Sequence, residues 1–256
     1  MKFNLNFLLD WIYPPVCVAC GQIIALNDTQ PRQMLMCKPC QAVFEPMLPP
    51  ICNFCGMPTE RSVERCASCY GKHFTFASNR ATFMYEDLLR DLLLKLKFSR
   101  DKRIAHSLGQ LWANHICTHF SYNAIKNCDT ANTYLVPLPM HPKKQRERGF
   151  CQANVITTHI ATKTGIPMQQ ALVRVIDTPP QSGLHPRQRI ENVNGAFAIP
   201  PNISPSGKNY IIIDDIYTTG ASLNACASTL LSAGAKNVSC LTLAIVKRKT
   251  KDDDED

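Results

Sequence analysis

No stretch of this 256-residue chain approaches the roughly 18 consecutive apolar residues that a membrane-spanning helix needs, so no membrane span is expected. Gly-x-x-x-x-Gly-Lys and Gly-x-Gly-x-x-Gly are also missing. Their absence removes support for the P-loop and dinucleotide readings. The opening segment, MKFNLNFLLDWIYPP, has no small-residue cleavage site, and Asp10 breaks its apolar run. It reads as a short amphipathic helix over residues 1–13 and not as a signal peptide, so the expected compartment is cytoplasmic. Residues 14–71 lack any long periodic segment.

Hydrophobic residues make up 45% of the chain, enough to bury a core and to exclude wholesale disorder. The length suits one large domain, or a medium domain with a small one. Net charge is +8 despite an acidic terminal run, DDDED, within an expected disordered tail at 248–256. A basic balance favours polyanionic or phosphorylated partners.

Thirteen cysteines are present, and eight of them form four Cys-x-x-Cys pairs: Cys17 and Cys20, Cys37 and Cys40, Cys52 and Cys55, Cys66 and Cys69. Zinc favours a tetrahedron of thiolates, and each pair supplies two from one tight turn, so four pairs make two sites. A segment this short buries too little surface to be secure alone. A structural zinc adding about 10–16 kcal/mol would dominate its stability. Disulfides or a redox pair are the competing readings, and both are disfavoured in a reducing compartment. With every position taken by Cys, no coordination site is open and both zincs are expected to be structural. Sequential pairing is expected over interleaved, although the spacing admits both. Residues 14–71 are therefore read as a double zinc ribbon.

From Arg80 the texture changes to alternating strand and helix signals, placing a boundary near 72–79 and an α/β domain with a largely parallel sheet over 80–247. Strands are expected at 80–85, 133–139, 171–176, 195–199, 210–213 and 238–246. Helices are expected at 86–98, about 101–119, 150–163 and 221–233. Leu88, Leu89, Leu92, Leu93 and Leu96 share one face of the first helix. Residues 177–194 form a long, basic, aperiodic stretch of the kind found in functional lids.

The stretch IIIDDIYTTGAS, residues 211–222, carries the most chemistry. A buried strand delivers Asp214 and Asp215 to the carboxyl edge of the sheet, where open α/β folds bind ligands, so at least one carboxylate reaches the crevice. Adjacent carboxylates accept hydrogen bonds from a vicinal diol such as a ribose. Tyr217, Thr218, Thr219, Gly220, Ala221 and Ser222 then lead into a helix N-terminus, whose free N–H groups and dipole hold phosphate. A diol acceptor beside a phosphate cradle describes ribose 5-phosphate. The blander reading is an ordinary strand end followed by a turn.

This stretch resembles the phosphoribosyl pyrophosphate motif of type I phosphoribosyltransferases. With it, VPLPMHPKKQRERGFCQANVI, QSGLHPRQRIENVNGAF and the cysteine block resemble the ComF family of competence proteins, which includes GntX-type members. The resemblance implies a type I phosphoribosyltransferase-like domain after a four-cysteine zinc-ribbon module. It also implies a pyrophosphate-side turn at Pro139 and Met140, and an Arg-x-Arg-Gly-Phe-x-Gln signature holding Arg146 and Arg148. Residues 181–195 would be a loop that closes over ligand, and Mg2+ would accompany phosphoribosyl pyrophosphate. Cys151 and Ser182 depart from the family pattern without removing a charge.

The implied role is a cytoplasmic protein of natural competence that handles incoming single-stranded DNA with the DNA-uptake machinery. Lys143, Lys144, Arg187 and Arg189 are the candidate nucleic-acid contacts, and Phe150 and Tyr122 the candidate stacking aromatics. The alternatives are an active phosphoribosyltransferase or a non-catalytic sensor of a phosphoribosyl ligand. No acceptor substrate, general base or other catalytic residue stands out.

Overall fold

The computed structural model describes residues 14–24, 34–118, 125, 128–178, 193 and 195–247. The expected N-terminal helix, Tyr122, Arg187, Arg189, Ser182 and the acidic tail lie outside them. Four strands form one parallel sheet in the order β1 (Asn79–Met84), β6 (Asn237–Ile245), β5 (Asn209–Tyr217) and β2 (Thr133–Pro137). A parallel sheet needs both faces covered, and its strands then read as continuous apolar runs. Tyr210, Ile211, Ile212 and Ile213 accordingly are all buried.

The helices are α1 (Lys38–Ala42), α2 (Asp87–Phe98), α3 (Lys102–Thr118), α4 (Pro142–Arg148), α5 (Gln152–Thr164) and α6 (Ala221–Ser232). Helix α2 packs Leu89, Leu92, Leu93 and Leu96 inward, and truncating one of these to Ala costs about 2–5 kcal/mol. Helices α3 and α5 approach closely because residue 109 is glycine: a Cβ there would lie 2.9 Å from the His159 ring and 3.1 Å from the Ile156 Cα. One face of the sheet is covered by α2, α3, α5 and first-ribbon residues Cys17, Ile24, Met34, Met36 and Phe44. On the other face lie α6 and second-ribbon residues Cys52, Phe54, Cys55 and Cys69.

Four elements differ from the sequence reading. The strands expected at 171–176 and 195–199 shrink to a two-residue antiparallel pair, β3 (Val173–Arg174) with β4 (Phe197–Ala198). Val173, Val175 and Ile176 are exposed, so no second layer holds a longer strand there. Helix α4 has no apolar residue beyond its opening proline and buries none, which hides it from any periodicity. It forms because Pro142 suits a first helical position and the His141 ring accepts the Lys143 N–H at 3.3 Å. Finally, β5 does not stop at the aspartates. It runs through them to Tyr217, paired on one side with β6 as Asp214↔Thr242 and Tyr217↔Ile245. On its other side, β2 pairing ends at Pro137↔Ile213.

Candidate functional site

The eight paired cysteines fall into two tetrads, Cys17, Cys20, Cys37, Cys40 and Cys52, Cys55, Cys66, Cys69, with sulfurs within 4.8 Å of one another in each. The pairing is sequential. Zinc held by four thiolates at about 2.3 Å places sulfurs about 3.8 Å apart, and Cys20–Cys37 and Cys55–Cys66 are each separated by 3.8 Å. Backbone N–H groups of Cys37 and Cys66 point at the Cys17 and Cys52 sulfurs, the donors a thiolate needs. Hydrogen bonds from the Cys55 and Cys69 thiols hold Cys52 well below the ordinary thiol range. Both tetrads fit zinc.

Beyond the last β2 pair, β5 is open on one side, and there a cleft of about 260 Å³, counting space open to solvent, is lined by Asp214, Ile216, Tyr217, Thr218, Gly220, Ala221, Ser222 and Leu223. Gly220 caps α6 in the left-handed conformation, φ 78°. A Cβ there would lie 3.0 Å from the Tyr217 hydroxyl and 3.1 Å from the Phe74 ring, so both conformation and space require glycine. The first turn of a helix has N–H groups without intrahelical partners. Thr219 Oγ1 accepts that of Ala221 at 3.3 Å, while Ser222 and Leu223 line the cleft.

Neighbouring residues on a strand point to opposite faces, and the two aspartates part company accordingly. Asp214 lines the cleft. Burial, followed by the nearby Asp215 charge, pushes its carboxyl well above the usual range, although the Asp215 N–H bonded to it at 2.8 Å and the Lys97 charge pull the other way. Asp215 is buried on the α5 side, where the Gln152 amide donates to Oδ2. Arg148 in turn donates to the Gln152 carbonyl oxygen. A cation therefore reaches the second carboxylate through an amide relay. Gln152 ends the Arg-x-Arg-Gly-Phe-x-Gln run, but the sequence reading gave it no role and did not link it to Asp215. Its place in that run was the available signal.

The turn at Pro139 and Met140 follows β2, whose exit is tied to β5 by the Leu138 N–H on the Ile213 carbonyl at 2.9 Å. Cys151 is buried close enough to meet the Met140 backbone and the Asp214 field, and burial raises its thiol. Neither Pro139, Met140, Arg146, Arg148 nor Thr219 lines the described cleft. Lys143 and Lys144 face Asp177 at 3.5 and 3.8 Å, and Lys144 also donates to the Thr178 carbonyl. Phe150 is buried, so its ring is not offered to a base.

The second ribbon abuts this cleft. Phe54, inside the Cys52–Cys55 turn, stacks on Phe74 and Phe76 at 5.2 and 5.3 Å. Phe74 is the ring packed against Gly220. Next to it, Thr75 donates its N–H to the Asn224 side chain at 2.7 Å, fixing the first turn of α6. Asn79 bonds both the Cys55 carbonyl and Thr242 at 3.2 Å.

The family model described as a double zinc ribbon domain matches residues 8–70, and that of the phosphoribosyl transferase domain matches residues 149–256. Competence protein ComFC of Bacillus subtilis is 27% identical over 245 residues, covering 91% of this chain and 95% of that protein. Competence protein F of Haemophilus influenzae is 24% identical, covering 82% and 90%. The DNA utilization protein YhgH of Escherichia coli is 27% identical, covering 73% and 81%. Adenine phosphoribosyltransferase from Saccharomyces cerevisiae aligns with 68% of this chain and 90% of its own at 19% identity, with a TM-score of 0.34, too loose a superposition to carry geometry. The parallel α/β domain is phosphoribosyltransferase-like and follows a double zinc ribbon.

Proposed function

From a chain that joins a double zinc ribbon to a phosphoribosyl transferase domain and resembles competence proteins along most of its length, we propose a protein of DNA uptake that binds phosphoribosyl pyrophosphate with Mg2+ and handles single-stranded DNA. The observation that carries the ligand is the meeting of Asp214 with the N-terminal turn of α6 in one cleft. In this reading Asp214 accepts from a ribose hydroxyl. Thr218, Gly220 and Ser222 take the 5′-phosphate on backbone N–H groups and hydroxyls at the positive end of the helix, and Ala221 lines the same cleft.

Asp215 does not touch the ligand. The Arg148–Gln152 relay holds it in place behind Asp214. Mg2+ would supply neutralisation of the pyrophosphate charge. A carboxylate at the cleft wall whose ionisation is opposed by burial and a second aspartate fits a cation or a donor placed beside it. Arg146, exposed in the last turn of α4, would take the pyrophosphate, for which a guanidinium fork is suited.

No helix among the described residues is long and apolar enough to cross a membrane. The cytoplasm is the proposed compartment, because thiolate tetrads require reduced cysteines. Titration calorimetry with phosphoribosyl pyrophosphate and Mg2+ tests the ligand: saturable binding that falls at least tenfold in Asp214→Asn supports it. Equal affinity of wild type and variant rejects it. Filter binding of oligothymidine tests the DNA half.

A further inference from the structure

Helix α2 is amphipathic up to its last turn, where Phe98 stands 82% exposed and Leu94, one turn earlier, 41% exposed. Single exposed apolar residues are ordinary. Flanking Phe98 in the chain, however, are Lys95, Lys97, Arg100 and Lys102, and none of the four makes an ion pair among the described residues. The nearest acid in sequence, Asp101, is occupied by Arg103 at 2.8 Å. By contrast, the charge of Lys143 and Lys144 is answered locally by Asp177.

Arg100 holds a left-handed backbone, φ 56°, a conformation natural to glycine and strained for other residues. A cation thus occupies a position where sterics alone favour glycine. The corner also leads toward the cleft: the Lys97 charge acts on Asp214, and Lys102 lies 5.7 Å from the centre of the Phe150 ring, two residues before Gln152.

An exposed ring flanked by cations that make no ion pair among the described residues matches the chemistry of an unpaired strand, whose bases offer flat faces and whose phosphates repeat at short intervals. A duplex hides its base faces, and an acidic peptide has nothing regular to stack. Resting on the reading of this chain as one that handles single-stranded DNA, we infer that the α2–α3 corner is the strand-binding surface. A base stacks on Phe98, and adjoining phosphates sit on Lys95, Lys97, Arg100 and Lys102.

The test uses the full chain and a fluorescein-labelled oligothymidine followed by anisotropy. Since Phe98 is so exposed, its truncation leaves folding intact. Phe98→Ala is expected to weaken binding roughly 5- to 150-fold, the effect of losing one base–aromatic stack. Phe98→Trp retains affinity. Lys95→Ala with Arg100→Ala is expected to flatten the log–log salt dependence by about 1.4, two contacts at about 0.7 each. All of these variants keep wild-type affinity for phosphoribosyl pyrophosphate. If wild type binds oligothymidine and the variants bind it equally, the corner is not the surface. A duplex bound as tightly as the single strand, without response to Phe98→Ala, overturns the stacking. A wild type that binds no oligothymidine removes the DNA half of the proposed function itself.

Discussion

Asp214 combines a charge with a place that resists it, and its pH behaviour follows. Burial, then Asp215, raises its folded-state value above the unfolded one. The fold's preference for the protonated carboxyl is therefore fully present below about pH 3.9 and is lost as pH rises through the folded value. Asparagine keeps the acceptor for the Asp215 N–H and has nothing to ionise. Asp214→Asn is thus expected to melt above wild type at pH 8, with the gap closing toward pH 4. Calorimetry showing the variant less stable at pH 8 would contradict this account. Gln152 makes the opposite case, because it is buried and satisfies Asp215. Gln152→Leu leaves that carboxylate without its donor, a loss of about 1.5–3 kcal/mol. Urea denaturation should show the midpoint falling while the slope is unchanged.

At the scale of elements, the loop that leads into α6 is held from behind by the second ribbon. Phe54, Phe74 and Gly220 form a line from the second tetrad to the start of α6. Phe74→Ala removes two ring contacts, each worth about 0.5–1.5 kcal/mol, with Cys tetrads and cleft residues untouched. Amide exchange at 217–224 is expected to accelerate, and phosphoribosyl pyrophosphate affinity to fall by several-fold. Gly220→Ala should act on the same readouts more severely, because its Cβ meets Tyr217 and Phe74 in a conformation that costs other residues about 1–2 kcal/mol. Unchanged exchange in Phe74→Ala would show the loop to stand without the ribbon.

For the whole molecule, the ribbons are built into the two cores that flank the sheet and are not appendages. The Leu35 N–H bonds Ser107 at 3.1 Å, and Arg80 bonds the Met47 carbonyl at 2.7 Å. Elemental analysis should find about two zincs per chain, one for each cysteine tetrad. Scanning calorimetry should show one transition, with calorimetric and van't Hoff enthalpies in agreement, shifted down as a whole by a chelator. Two separated transitions, one insensitive to chelation, would show that ribbons and sheet fold apart.

Much of this was readable from residues near one another in the chain. The tetrads were, because a Cys-x-x-Cys turn brings its two thiols together by local geometry alone. The strand–loop–helix order at the cleft was too, since a strand, a glycine and a helix start follow in order within residues 211–222. The apolar face of α2 was legible from its period. The rest came from partners far apart in sequence. Gln152 meets Asp215 across 63 residues, Thr75 meets Asn224 across 149, and Lys143 and Lys144 meet Asp177 only because the chain turns back. Local spacing also could not say which aspartate faces the cleft, since that depends on which side of β5 receives α5 and which receives α6. The chain's own order determines what each element is. The sheet decides what each side chain touches, because side-chain contacts are set by distances in space that sequence separation does not encode.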